Sequence, residues 1–224
     1  MTDKSYIFLA GASRGVGEQI AFRLTEQQRL VKALLRTETT KADLEAMGIK
    51  VAMGDALNVA DVERAMLEDE PIHAVISTIG GLPKDGERAD YLGNKNLIDA
   101  AVKAGVKKFI LVSSIGTGNT ANAIPPQALE TLRPVLVEKE KAEQHLIASG
   151  LTYTIIRPGG LKSEPATGNG ILTEDHRVAG TIHRADVAHL VCQCLDSERA
   201  NNKVLSAIDR NMMYGQPEFE EFNS

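Results

Sequence analysis

The sequence predicts one α/β domain, a doubly wound sheet of parallel strands with helices on both faces. Three observations predict it. Short apolar runs recur along the chain without the polar alternation of a half-exposed strand, as strands buried on both faces require. Helical patterns separate most of them, and strands alternating with helices are joined by right-handed crossovers into parallel sheets. A glycine cluster, Gly11-Ala12-Ser13-Arg14-Gly15-Val16-Gly17, stands at the first strand-to-helix junction. At 224 residues the chain suits a single domain spanning 1–224.

The first apolar run covers 6–10, and others follow at 30–35, 51–53, 74–77, 109–112 and 153–156. A late seventh strand is expected at 204–208. Helical patterns fall at about 15–27, 40–47, 59–69, 90–104, 134–149 and 184–197. Two stretches break the alternation. Residues 115–133 carry Gly116, Gly118, Pro125 and Pro126, and residues 158–182 carry Pro158, Gly159, Gly160, Pro165, Gly168, Gly170 and Gly180. Both read as long irregular loops. They follow the carboxyl ends of strands, where open α/β sheets bind ligands, so they are expected to form a substrate rim. From about residue 212 the chain is acidic and reads as a loosely held tail.

A formal charge of −5 argues against a nucleic-acid binder that works through a broad basic face. No apolar run approaches the ~20 residues of a membrane span. The start runs almost directly into a strand, leaving no room for a signal peptide. Cys192 and Cys194 are too few for a disulfide framework or a four-ligand metal site. The expectation is a reduced cytoplasmic protein with a small-molecule substrate, no nucleic-acid partner and no metal. A monomer is compatible with the sequence, which leaves the oligomeric state open.

The glycine cluster carries the chemistry. Its spacing is G-x-x-x-G-x-G, directly after the first strand and opening the first helix. One glycine permits the tight turn, one lets backbone approach a pyrophosphate, and one lets helix and strand pack closely. Unpaired N–H groups at the positive helix end then hold the anion, so Gly11, Ser13, Arg14, Gly15, Val16 and Gly17 are candidate cofactor contacts. At the end of the second strand an NAD site usually has an acid about 20 residues past the glycines. Here Arg36 stands 19 positions after Gly17, followed by Thr37 and Glu38. A guanidinium suits a 2′-phosphate, and Arg14 is placed to clamp it from the other side, so NADP(H) is favoured over NAD(H). In another register Glu38 serves a 2′-hydroxyl instead.

These motifs, with Gly54-Asp55, Leu111-Val112-Ser113-Ser114, Ile156-Arg157-Pro158-Gly159-Gly160 and Arg184-Ala185-Asp186-Val187-Ala188, resemble the atypical short-chain dehydrogenase/reductase family. The resemblance covers essentially the whole chain. It is strongest to the compact NAD(P)-binding subgroup of NmrA-like regulators and the biliverdin-IXβ (flavin) and sanguinarine reductases. It implies a Rossmann-type fold, an adenine contact at Asp55 beside Ala56, and a ribose approach at Ile79, Gly80 and Gly81. Pro158, Gly159 and Gly160 join the implied cofactor site.

Ordinary members of the family use Ser, Tyr and Lys, the last two spaced Y-x-x-x-K on one helical face. Ser113 or Ser114 fits the serine. Lys139, with Glu143 four residues on, fits the lysine and is expected to hold the ribose; Lys141 is the other register. The tyrosine position is then Val135 or Val137, a valine either way. Tyr6, Tyr91, Tyr153 and Tyr214 all fall elsewhere, and His183 is a weaker proton-donor candidate. Without a positioned acid the expected activity is NAD(P)H-dependent hydride transfer to an aromatic or conjugated acceptor such as a flavin, quinone or imine. The alternative is a non-catalytic NADP(H)-sensing regulator or assembly factor.

Overall fold

The computed structural model describes residues 5–81, 88–215 and 217–223. Its strands are β1 (Tyr6–Ala10), β2 (Val31–Leu35), β3 (Lys50–Met53), β4 (Ile72–Ser77), β5 (Lys108–Val112), β6 (Tyr153–Pro158), β7 (Gly160–Lys162), β8 (Gly170–Thr173), β9 (Thr181–His183) and β10 (Lys203–Asp209). The helices are α1 (Gly15–Glu26), α2 (Lys41–Ala46), α3 (Val59–Leu67), α4 (Leu92–Lys103), α5 (Pro126–Ala148) and α6 (Arg184–Asp196). The main sheet runs β3-β2-β1-β4-β5-β6-β10-β8. All its pairings are parallel except β10 with β8. β7 and β9 form a separate parallel pair at the rim.

β1 shows why the central strands are continuously apolar. Ile7 and Leu9 pack into one core layer, against α1 and α6, while Phe8 and Ala10 pack into the other, against α3, α4 and α5. Each residue of this strand therefore finds an apolar face, whichever way it points. The sheet winds outward in both directions from the junction of β1 and β4. In open α/β sheets, ligands bind outside the carboxyl ends of the strands at such a switch point.

Three expectations are corrected. Residues 115–133 are not one irregular loop: a 3₁₀ segment spans Gly118–Ala123, and α5 begins at Pro126, eight residues before the predicted start. Pro126 sits in the first turn, where its missing N–H has no helical partner to lose. Pro134 lies inside α5 and is exposed. Residues 158–182 are organised by β7, β8 and β9 rather than irregular.

The acidic tail is not loose either. The Tyr214 N–H donates to Ala179, the Phe222 N–H to Leu172, and Thr173 Oγ1 to Glu220 O, at 2.7–2.8 Å. Phe219 and Phe222 pack against the cores. Aromatics interleaved with the acids anchor it. No helix among the described residues is long and apolar enough to cross a membrane.

Candidate functional site

The chain turns from β1 into α1 on two glycines with positive φ, Gly11 at +95° and Gly15 at +63°. A side chain at Gly17 would put its Cβ 2.0 Å from the Gly11 carbonyl oxygen, so its absence lets α1 settle onto the end of β1. Thr78, just past β4, closes the junction: its Oγ1 donates to the carbonyls of Ala10 and Gly11 at 3.3 Å each. Gly15 faces open space except for the Arg184 side chain. Ser13 and Arg14 are exposed. The Val16 side chain lies in the core, so only its backbone N–H is available to a ligand. The first-turn N–H groups of α1 have no helical acceptors and sit at its positive end, which makes the loop an anion cradle.

Arg36, Thr37 and Glu38 lie exposed beyond β2. Arg14 Nη2 lies 3.9 Å from where a Gly81 Cβ would stand, on the β4 side of the loop, whereas Arg36 follows β2. Asp55 Oδ1 accepts from the Leu57 N–H at 2.9 Å and thereby holds the turn after β3. Its Oδ2 has no protein donor among the described residues and stays available. Ala56 lies under Gly93, and its carbonyl accepts from Asn96 Nδ2 at 2.9 Å.

Past β4, Ile79 packs on Gly93 while Gly80 and Gly81, both at positive φ, are exposed. Lys139 meets them from α5. Its Nζ lies 3.4 Å from Asp90 Oδ1 and 3.0 Å from the position of a Gly80 Cβ. Lys141, by contrast, turns outward and pairs with Glu138 on the surface. The fold places Lys139 at the rim, with Val135 one turn before it. Val135 is half-buried. The two serines also separate. Ser114 Oγ donates to the Ile115 carbonyl at 2.9 Å, whereas Ser113 Oγ is buried with no partner. A buried hydroxyl without a partner is costly unless a ligand completes it.

Asp90 is the residue that sequence reading missed. It is fully buried, accepts from the Gly81 N–H at 3.4 Å, and lies 3.3 Å from Arg88 Nε as well as beside Lys139. In the sequence it is an ordinary acid before a helix. Only the fold turns it toward a lysine 49 positions away. Asp90→Asn keeps the shape but leaves Lys139 without its counter-charge. It should destabilise the protein by about 1–3 kcal/mol and weaken cofactor binding, read by urea unfolding and calorimetry. Unchanged values in both would mean that Lys139 is held by something else.

At the end of β6, a Gly159 Cβ would lie 2.2 Å from the Gly180 carbonyl, so this glycine serves chain packing. Gly160 is exposed, and the position of its Cβ is 3.8 Å from Tyr214 Oη, which brings a tail tyrosine to the rim. Pro158 is buried. Beneath the rim, Arg157 donates to both Glu143 oxygens, at 3.1 and 2.6 Å, and to Asn119 Oδ1 at 2.6 Å. This buried fork locks α5, and with it Lys139, to the sheet.

His183, Asp186 and Asp209 gather with ligand atoms within 4.8 Å of one another. The carboxylates are occupied by the Thr167, Gly168 and Asn211 N–H groups and the Thr167 hydroxyl, so they hold a turn. Burial pushes the Cys192 thiol up to about 11 and that of Cys194 to about 12, which suits core packing rather than nucleophilic chemistry.

Residues 11–198 match the NAD(P)H-binding family. The chain is 35% identical over 202 residues to the uncharacterized sugar epimerase YhfK of Bacillus subtilis, covering 88% of this chain and 91% of that one. It is 30% identical over 248 residues to sanguinarine reductase of Eschscholzia californica, covering 89% and 87%. Among solved structures, ChuY, an anaerobilin reductase of Escherichia coli O157:H7, superposes with a TM-score of 0.85 at 32% identity, over 96% of this chain and all of that one.

Proposed function

The chain belongs to the NAD(P)H-binding family and is an atypical short-chain dehydrogenase/reductase, and from that premise we propose that it passes hydride from NADPH to a flat, conjugated acceptor without a protein acid. The observation that carries this reading is the pairing of Lys139, turned into the rim, with Val135 where the family tyrosine would stand. The names of two relatives, reductases of sanguinarine and of anaerobilin, support a reductase.

The residues present fit a dinucleotide. The glycine loop leaves its backbone approachable, Gly80 and Gly81 present exposed backbone beside Lys139, and Ser113 Oγ is a buried hydroxyl awaiting a partner. When bound, the nicotinamide supplies the hydride. The chain supplies position: N–H groups of α1 for the pyrophosphate, Lys139 held by Asp90 for the ribose, and Ser113 to orient what lies against it. Val135 offers no proton, so the reduced product must be a stabilised anion or take its proton from water.

Anaerobic oxidation of NADPH against a panel of flavins, quinones, bilins and imines tests the reading. Turnover of one such class supports it. Tight NADPH binding with no turnover of any acceptor would favour a cofactor-sensing protein, and turnover of sugars alone would favour epimerase-type chemistry.

The preference for NADP(H) follows from Arg36. Arg36→Ala should weaken NADPH binding by about 1–3 kcal/mol and barely change that of NADH, as expected for a lost charge-assisted hydrogen bond. Calorimetric titration of both cofactors reads this directly. Tighter NADH binding by the unaltered protein would move the role to Glu38.

A further inference from the structure

Arg184 opens α6 and reaches across to the glycine loop. Its Nε and Cδ lie 3.6 and 3.8 Å from where a Gly15 Cβ would stand. It therefore hangs over the first turn of α1, the positive end of that helix. Arg14 is the residue immediately before that turn. Neither arginine makes an ion pair among the described residues. The first turn of α1 and the Arg184 side chain over it are both positive, so an anion between them is favoured.

The same residue faces the substrate rim. Arg184 Nη1 donates to Ser163 Oγ at 2.7 Å. Two positions on, Asp186 accepts from the Thr167 and Gly168 N–H groups at 2.9 Å each. The first turn of α6 thus holds the segment 160–169 at two points, and every residue of that segment is exposed. A guanidinium has five N–H donors in a fixed fork, enough to keep Ser163 and take a phosphate oxygen together.

We infer that Arg184 is a pyrophosphate ligand that couples cofactor occupancy to the substrate rim: dinucleotide binding fixes Arg184, and Arg184 fixes segment 160–169 through Ser163. The inference rests on the cofactor reading above. It implies that cofactor binds first and that the rim is fully assembled only afterwards. Before binding, the guanidinium is held by Ser163 alone among the described residues. Afterwards the same guanidinium is pinned at both ends.

The test uses the full chain and Arg184→Ala, with Arg184→Lys as the charge-preserving variant and thermal unfolding as the check on folding. Calorimetry is run with NADPH and with adenosine 2′-monophosphate, which has no pyrophosphate. Arg184→Ala should weaken NADPH binding roughly tenfold to a hundredfold and leave the monophosphate unchanged, with Arg184→Lys intermediate. Trypsin cleavage after the exposed Lys162 is the second readout. Saturating NADPH should protect this bond in the unaltered protein and fail to do so in Arg184→Ala. Equal NADPH affinity in a folded Arg184→Ala would overturn the ligand assignment, and equal protection would overturn the coupling. Absence of NADPH binding by the unaltered protein would overturn the cofactor reading itself, a distinguishable result.

Discussion

Gly15→Val should abolish NADPH binding in a protein that stays folded. Gly15 holds φ at +63°, a region that costs a side-chain-bearing residue about 1–2 kcal/mol and a β-branched one more. Its Cβ would meet no backbone, only the movable Arg184 side chain, so the fold tolerates the added atoms. What it loses is the open surface over which a pyrophosphate would approach the loop. Calorimetry should show affinity falling more than about a hundredfold, on the order of 3 kcal/mol. Gly17→Ala acts differently. Its Cβ would stand 2.0 Å from the Gly11 carbonyl oxygen, so α1 must lift from β1. That overpacking costs about 1–3 kcal/mol, and each of these lowers Tm by roughly 2–4 °C in a domain of this size. A folded Gly15→Val protein with unchanged affinity would remove the glycine loop as the cofactor site.

The second large effect concerns the acceptor. Conjugated acceptors whose reduced form is a stabilised anion should be turned over at least about 10²–10⁴-fold faster than simple ketones, the factor that a positioned acid supplies elsewhere. Simple ketones generate a basic alkoxide, and Val135 has nothing to give it. Ser113→Ala should lower the rate modestly through lost positioning, and Lys139→Ala should raise KM for the cofactor more than it lowers kcat. Val135→Tyr places a phenol one turn before Lys139, on the same helical face, and should raise ketone reduction specifically. The contrary result is plain to read. Efficient ketone reduction that collapses on His183→Ala or Tyr214→Phe would mean that another rim residue donates the proton, and the acid-free mechanism would have to be abandoned.

Much of this was legible in the residues themselves. A strand buried on both faces must be apolar throughout, so β1, β4 and β5 announce themselves without their partners. The glycine loop is legible for a related reason. A positive φ and a backbone-to-backbone approach each exclude a Cβ, and only one residue type meets both demands. Arg36 after β2 and the valines before Lys139 are likewise local facts of spacing.

Other features are not local. Pro125 and Pro126 look the same in a loop as at a helix start, and the order of α5 beyond Pro134 depends on its lower turns packing on the sheet. The tail aromatics find their pockets only once β8 and β10 exist. Asp90 illustrates the limit. A carboxylate can be buried only where a cation or donors meet it; Gly81 and Arg88 lie nearby in the chain before α4, but Lys139 comes from α5, in the next crossover. Ser113 and Ser114 are equivalent in spacing, and only packing leaves one hydroxyl without a partner. The sequence by itself determined the seven parallel strands of the sheet and the glycine loop, because each follows from a constraint on neighbouring residues, and the resemblance marked the valine at the family tyrosine's position. The tertiary structure alone decided which lysine faces the site, which serine is open and which arginine lies over the loop. Those depend on side chains distant in sequence competing for one space.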